Sequence, residues 1–146
     1  MELIAIQPEP QHNEEFASNP LCGEMLPMTI DFYKRVGFRP PWISYCARVD
    51  GKLVGVAGFK GKPVNNTVEI AYGTFEPFQN KGIGVQICRQ LVALSLATDP
   101  LVRITARTLP ENNFSSRVLQ KNGFIRLGMV QDPEDGDVWE WEYKDA

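Results

Sequence analysis

The chain has 146 residues, 43% hydrophobic and 23% charged, the proportions of an ordinary globular protein and not of a disordered or fibrous one. No apolar run approaches the roughly 20 residues that span a bilayer, and the start, MELIAIQPEPQHNEE, lacks the basic and long apolar stretches of a signal peptide, so a cytoplasmic chain with no membrane partner is expected. A net charge of -3, with no Lys/Arg cluster interleaved with aromatics, argues against a nucleic-acid partner.

The first strand is expected at Leu3 to Ile6, ended by Pro8 and Pro10. A polar stretch then leads into helical spacing through Met25, Ile30, Phe32 and Val36, with Gly37 as the stop. From Trp42 the pattern turns to strands: WISYCARV, an Asp50-Gly51 hairpin turn, KLVGVAGF, and a third strand from Thr67 to Phe75, an antiparallel meander. After Pro77 the period is helical again, with Ile83, Ile87, Leu91 and Leu94 on one stripe and Val85 and Val92 widening it. Asp99-Pro100 breaks that helix, and LVRITART alternates as a strand does. A second helix is expected from Asn112 to Lys121, closed by Asn122-Gly123. Two strand-like pieces, Phe124 to Val130 and Val138 to Tyr143, end the chain around the acidic turn DPEDGD. With no repeat, linker or low-complexity tract, residues 1–146 read as one α/β (α+β) domain.

Three cysteines at wide spacing, no CxxC and a single histidine, His12, make a metal site an unlikely reading, and Cys46 and Cys88 read as buried thiols. The chemistry gathers instead at Gln79-Asn80-Lys81-Gly82-Ile83-Gly84, between a strand end and a helix start. First-turn amides have no partner inside a helix, and the positive end of the helix dipole favours a phosphate there. Glycines at 82 and 84 are expected to open the approach. The spacing is neither that of a P-loop, since no Gly-Lys-Ser/Thr follows, nor a GxGxxG turn, since residue 87 is Ile.

QNKGIG does match the Q/R-x-x-G-x-G/A signature of the GNAT acetyltransferases, and nearly the whole chain resembles that family in its order of elements. EIAYGTFEPFQNKGIG followed by ARTLPENNFSSRVLQKNGF looks like the subgroup that contains ribosomal-protein N-terminal acetyltransferases, with its N-x-x-S-x-R-V-L-x-K-x-G-F pattern. The resemblance implies a mostly antiparallel mixed sheet of six to seven strands flanked by about four helices, splayed in the middle to hold coenzyme A. It implies acetyl-CoA as donor and an amine, on a protein N-terminus or a small molecule, as acceptor. Carried over, the backbone of Thr74 and Phe75 would meet the pantetheine arm and polarise the thioester. Gln79 and the amides of Lys81, Gly82, Ile83, Gly84 and Val85 would hold the pyrophosphate, and Asn112 and Ser115 would approach from the second helix. Asn112 reads equally well as that helix's N-cap.

Transfer to an amine needs the neutral amine. A lysine-like amine is neutral in about one molecule in a thousand at pH 7 and an α-amine in roughly a tenth, so a general base matters more for the first. Glu69, on a face with the small residues Ala71 and Gly73, is the candidate base, and Tyr72 falls on the opposite face, core-forming first and substrate-lining as the second reading. Where many family members carry a tyrosine that protonates the leaving thiolate, this chain has Leu119; either Ser115, solvent or another tyrosine such as Tyr33 takes its place, or the thiolate leaves unprotonated, stabilised by backbone dipoles. Trp139, Trp141 and Tyr143 read as core, and Glu24, Asp31 and Arg35 as residues that would line an acceptor cleft. A non-catalytic acyl-CoA-binding module and a nucleotide-phosphate binder of another class are the competing readings. The chain is expected to be a monomer or homodimer.

Overall fold

In the computed structural model, residues 1–144 are described. The elements are β1 (Glu2–Ala5), α1 (Glu14–Ala17), α2 (Pro20–Gly23), α3 (Leu26–Val36), β2 (Ser44–Val49), β3 (Lys52–Phe59), β4 (Thr67–Thr74), α4 (Ile83–Thr98), β5 (Arg103–Thr108), α5 (Phe114–Lys121), β6 (Phe124–Asp132) and β7 (Gly136–Tyr143). The seven strands form one mixed sheet in the order β1-β2-β3-β4-β5-β7-β6. Only β4 and β5 run parallel, because the 16-residue helix α4 connects them as a crossover, whereas tight turns join β2 to β3 and β6 to β7. Asp50 and Gly51, at φ of 51° and 77°, make the β2–β3 turn that Asp-Gly pairs favour.

The core is continuous. Ile87, Leu91, Cys88 and Val92 of α4 pack on the inner strands with Val68, Ile70 and Ile104, and Leu119 and Val118 of α5 close the same layer. Trp141 is buried on β7, with Trp139 and Tyr143 packed against the core around it. All three cysteines are buried and free; Cys22 and Cys46 lie with their sulfurs 3.5 Å apart, and burial pushes the Cys88 thiol up to about 12.

Local differences from the sequence pattern have physical causes. The stripe that α3 buries is Leu26, Ile30 and Tyr33, while Phe32 is only half-buried and Val36 exposed. Met25 is the N-cap of α3, so Pro27 sits in the first turn, where its missing N–H costs nothing. Part of the stretch before it forms two single-turn helices, the second capped by Asn19, whose side chain accepts from the Leu21 and Cys22 amides. The second long helix begins at Phe114, not Asn112: the cap is Asn113, whose Oδ1 accepts the Ser116 amide at 3.0 Å, and Asn112 is exposed just outside. Among the described residues no helix is long and apolar enough to cross a membrane.

Candidate active site

The sheet parts where β4 and β5 should continue side by side. Their parallel pairing runs through Thr67↔Arg103, Val68↔Ile104 and Glu69↔Thr105 and then stops, although both strands go on. Beyond that point β4 stays attached to β3 and β5 to β7, so a wedge opens between them. On β4 the Glu69 carbonyl accepts from the Lys60 amide and the Phe75 amide donates to the Val54 carbonyl, each at 2.9 Å. Because antiparallel residues alternate between exchanging bonds with the partner and turning away from it, Ile70, Tyr72 and Thr74 direct their backbone groups into the wedge. Phe75 is thereby corrected as a donor: its amide serves Val54 and its carbonyl accepts from the Phe78 amide at 2.8 Å. Thr74 is the open one of the two residues named from sequence. Its Oγ1 is buried with no hydrogen-bond partner among the described residues.

The wedge leads to the loop before α4. Asn80 and Gly82 both adopt positive φ, 63° and 78°, which turns successive amides toward the same side. The first bond of the helical ladder is from the Gln86 amide to the Gly82 carbonyl at 3.2 Å. Among the described residues, the amides from Asn80 to Val85, which include those of Lys81, Gly82, Ile83 and Gly84, donate to no group. The Gln79 side chain braces this loop by donating Nε2 to the Thr74 carbonyl at 3.1 Å, and Lys81 is exposed with its ammonium 6.0 Å from the Phe78 ring centre. The two glycines differ in purpose. Gly82 is needed for its left-handed backbone, with nothing within 4 Å of an added Cβ, whereas a Cβ at Gly84 would lie 2.8 Å from Phe114 Cζ of α5. Gly84 therefore serves helix–helix packing, while its amide is among those left free.

Two connected spaces meet at the wedge. A cleft of about 790 Å³ lies between α3, the ends of β3 and β4, and the β6–β7 turn, with Met25, Met28 and Phe32 on its apolar side. A cavity of about 100 Å³ occupies the gap itself and includes Ser115, Ala106 and Thr108. Lys60, Glu69, Ala71, Tyr72 and Arg107 line both. Glu69 thus stands with Ala71 in the cleft, held by Lys60 Nζ at 2.9 Å, with Arg107 Nε at 4.0 Å on its other side. Burial alone would lower the Lys60 ammonium, but Glu69 beside it, with the charges of Asp132 and Glu134, holds it above its ordinary value. Asp31 and Arg35 line the cleft; Glu24 does not.

Alternation places Tyr72 against the core, and the structure bears that out while also bringing it to the gap. Tyr72 lines both spaces and donates its hydroxyl to the Ser115 carbonyl at 3.2 Å, tying β4 to α5 across the gap. Burial pushes that phenol upward, with a smaller contribution from Cys88. Alternation could not reveal this, because it sorts side chains by face and a parted sheet exposes an edge to both faces. Tyr33 is excluded as a stand-in acid: its hydroxyl donates to the Ile6 carbonyl at 2.9 Å and accepts the Ser44 amide at 3.0 Å, so it fastens α3 to β1 and β2. Leu119 is fully buried in the core, and Ser115 lines the cavity together with Tyr72 and Thr108. His12 is exposed beside Glu9, away from both spaces. Among the described residues no group of three or more His, Cys, Asp or Glu side chains could hold a metal.

The acetyltransferase (GNAT) domain profile matches residues 5–125, most of the chain and the whole wedge. The chain belongs to the GNAT acetyltransferase family. A Bacillus subtilis (strain 168) protein described as uncharacterized N-acetyltransferase YjdG is 36% identical over 75 residues, 51% of this chain and 45% of that protein. The ribosomal-protein-serine acetyltransferase of Escherichia coli (strain K12) is 31% identical over 86 residues, 58% of this chain and 48% of that protein. In each case the matched region is about half of the relative's length. Among solved structures, the aminoglycoside acetyltransferase AAC(6')-Ib in complex with coenzyme A superposes with a TM-score of 0.61 at 25% identity, covering 70% of this chain and 65% of that one. The seven-strand mixed sheet is this family's architecture, and the parting of β4 from β5 is the splay that the GNAT resemblance implied.

Proposed function

We propose that the chain is an acetyl-CoA-dependent N-acetyltransferase that acts on a primary amine, of a protein N-terminus or of a small molecule. One observation carries the reading: the wedge backbone of Tyr72 and Thr74, the unpartnered Thr74 hydroxyl and the free amides of Asn80 to Val85 form one run of hydrogen-bonding groups. An extended amide-bearing arm ending in a pyrophosphate matches that run, by strand-edge pairing at one end and helix-start amides at the other. Bound acetyl-CoA supplies an electrophilic thioester carbonyl.

The residues divide the remaining work. Tyr72 and Thr74 present amides where a thioester oxygen gains charge, a role worth about 3–4 kcal/mol per donor in known acyl-transfer sites. Glu69, at the junction of cleft and cavity, accepts the proton that the attacking amine must lose. As nitrogen bonds to the carbonyl carbon and the carbon–sulfur bond breaks, the Ser115 hydroxyl in the cavity hands a proton to the sulfur and recovers one from solvent. The apolar wall of Met25, Met28 and Phe32 receives the body of the acceptor.

The test is calorimetric titration with coenzyme A, followed by thiol release from acetyl-CoA over a panel of peptides and small amines. Binding with acceptor-dependent release supports the reading. Tight binding without release from any amine points to a non-catalytic acyl-CoA-binding module, and protection by nucleotides but not by coenzyme A to a different phosphate ligand.

A further inference from the structure

Arg107 follows directly on the point where β5 leaves β4, and its guanidinium gathers three carboxylates. Nη1 donates to Asp132 Oδ2 at 3.0 Å, Nη2 and Nε donate to Glu140 Oε2 at 3.2 and 3.3 Å, and Nε lies 4.0 Å from Glu69 Oε1. Asp132 is the last residue of β6 and its side chain is only 7% exposed. While one of its oxygens takes Arg107, the other accepts the amides of Glu134 and Asp135 at 2.9 and 3.1 Å. One carboxylate therefore both shapes the β6–β7 turn and fastens it to β5. Asp132, Pro133 and Glu134 of that turn form the wall of the large cleft opposite α3. Among the described residues, no other hydrogen bond or ion pair ties the turn residues Asp132 through Asp135 to a strand outside the β6–β7 hairpin.

We propose that Arg107 is a positioning residue for the acceptor step, clamping the β6–β7 turn through Asp132 as the fixed wall of the acceptor cleft and bracing Glu69 beside it. The inference rests on the acetyl-transfer reading for the cleft's occupant, but the clamp itself is a matter of geometry. A planar fork that donates one bond to Asp132 and two to a single Glu140 oxygen at the same time is a role that lysine cannot fill. Arg107 lines the gap as well as the cleft, but the clamp's bonds touch none of the coenzyme-facing amides, so its loss should weaken acceptor use and leave the donor's use intact.

Two measurements on the full chain test this, with Arg107→Gln, Arg107→Lys and Asp132→Asn. In hydrogen exchange, Arg107→Gln should speed the Glu134 and Asp135 amides by about tenfold or more, with α4 amides unchanged, and Arg107→Lys should recover only part of the protection. Asp132→Asn keeps an oxygen for the two amides and should loosen the turn less than Arg107→Gln does. In steady-state assays the acceptor KM should rise about tenfold in Arg107→Gln while the acetyl-CoA KM stays within twofold. Unchanged turn exchange overturns the clamp, and so does a KM increase shared equally by both substrates. If the wild-type chain binds coenzyme A but acetylates no amine, it is the acetyl-transfer reading that falls, and with it the acceptor wall, even if exchange bears out the clamp.

Discussion

Thr74→Val separates the needs of the fold from those of the ligand, because the two respond with opposite signs. The Thr74 hydroxyl oxygen is buried with no partner, and leaving such a group unsatisfied costs about 1–3 kcal/mol. Valine has the same shape, favours strands as threonine does, and carries a methyl group where the orphan oxygen was. The unliganded protein should therefore gain about 1 kcal/mol, a rise of about 3 °C in Tm for a chain of this size. If the hydroxyl serves the coenzyme, the same change removes a hydrogen bond worth about 0.5–1.5 kcal/mol, weakening coenzyme A about 2- to 13-fold. Denaturant titration of the unliganded chain and calorimetry with coenzyme A read the two effects separately. A destabilised unliganded protein would show that Thr74 has a partner in solution, and an unchanged Kd would remove it from the binding track; either result refutes the reasoning.

Gly82→Ala should cost about 1–2 kcal/mol by denaturant midpoint, since alanine is strained at a φ of 78°, and Gly82→Asn should cost less because asparagine tolerates that region. Glu69→Gln should lower kcat about 100-fold or more with the acetyl-CoA KM unchanged, within the range general bases contribute; a rate within threefold of wild type removes it as the base. The carboxyls of Asp132 and Glu142 are both held down at about 2, the first by the Glu134 amide and Arg107, the second by Arg103 and Lys144. A depressed native value means the contribution is whole above the unfolded carboxyl range near 4 and fades as pH falls toward 2. Urea midpoints should accordingly drop from pH 5 to pH 2.5, and Asp132→Asn should flatten part of that slope.

Most of the architecture was readable in the order of hydrophobic periods. Period 2 in SYCARV and KLVGVAGF around Asp50-Gly51, then period 3.6 from Ile83, marks a meander followed by a helix that starts on free amides, and those features are local. The turn into α4 was legible for the same reason: at a φ of 78° Gly82 holds a left-handed backbone that residues with a Cβ, asparagine and aspartate apart, rarely adopt. Asn113 in place of Asn112 as the cap is a shift of one residue that periodicity cannot resolve.

Other features depended on elements far apart in the chain. The close approach of Phe114 of α5 to Gly84 adds a packing need that the GxG spacing does not signal. Tyr72 packs against the core as alternation predicts, and it also lines the gap because β4 and β5 separate beside it. The ionic cluster of Lys60, Glu69, Arg107 and Asp132 brings together β3, β4, β5 and the end of β6, and no spacing along one strand signals it. Backbone periodicity and turn preference act over a few residues and are written in the local sequence; the parting of two strands and the meeting of charges across them arise from how the whole sheet packs.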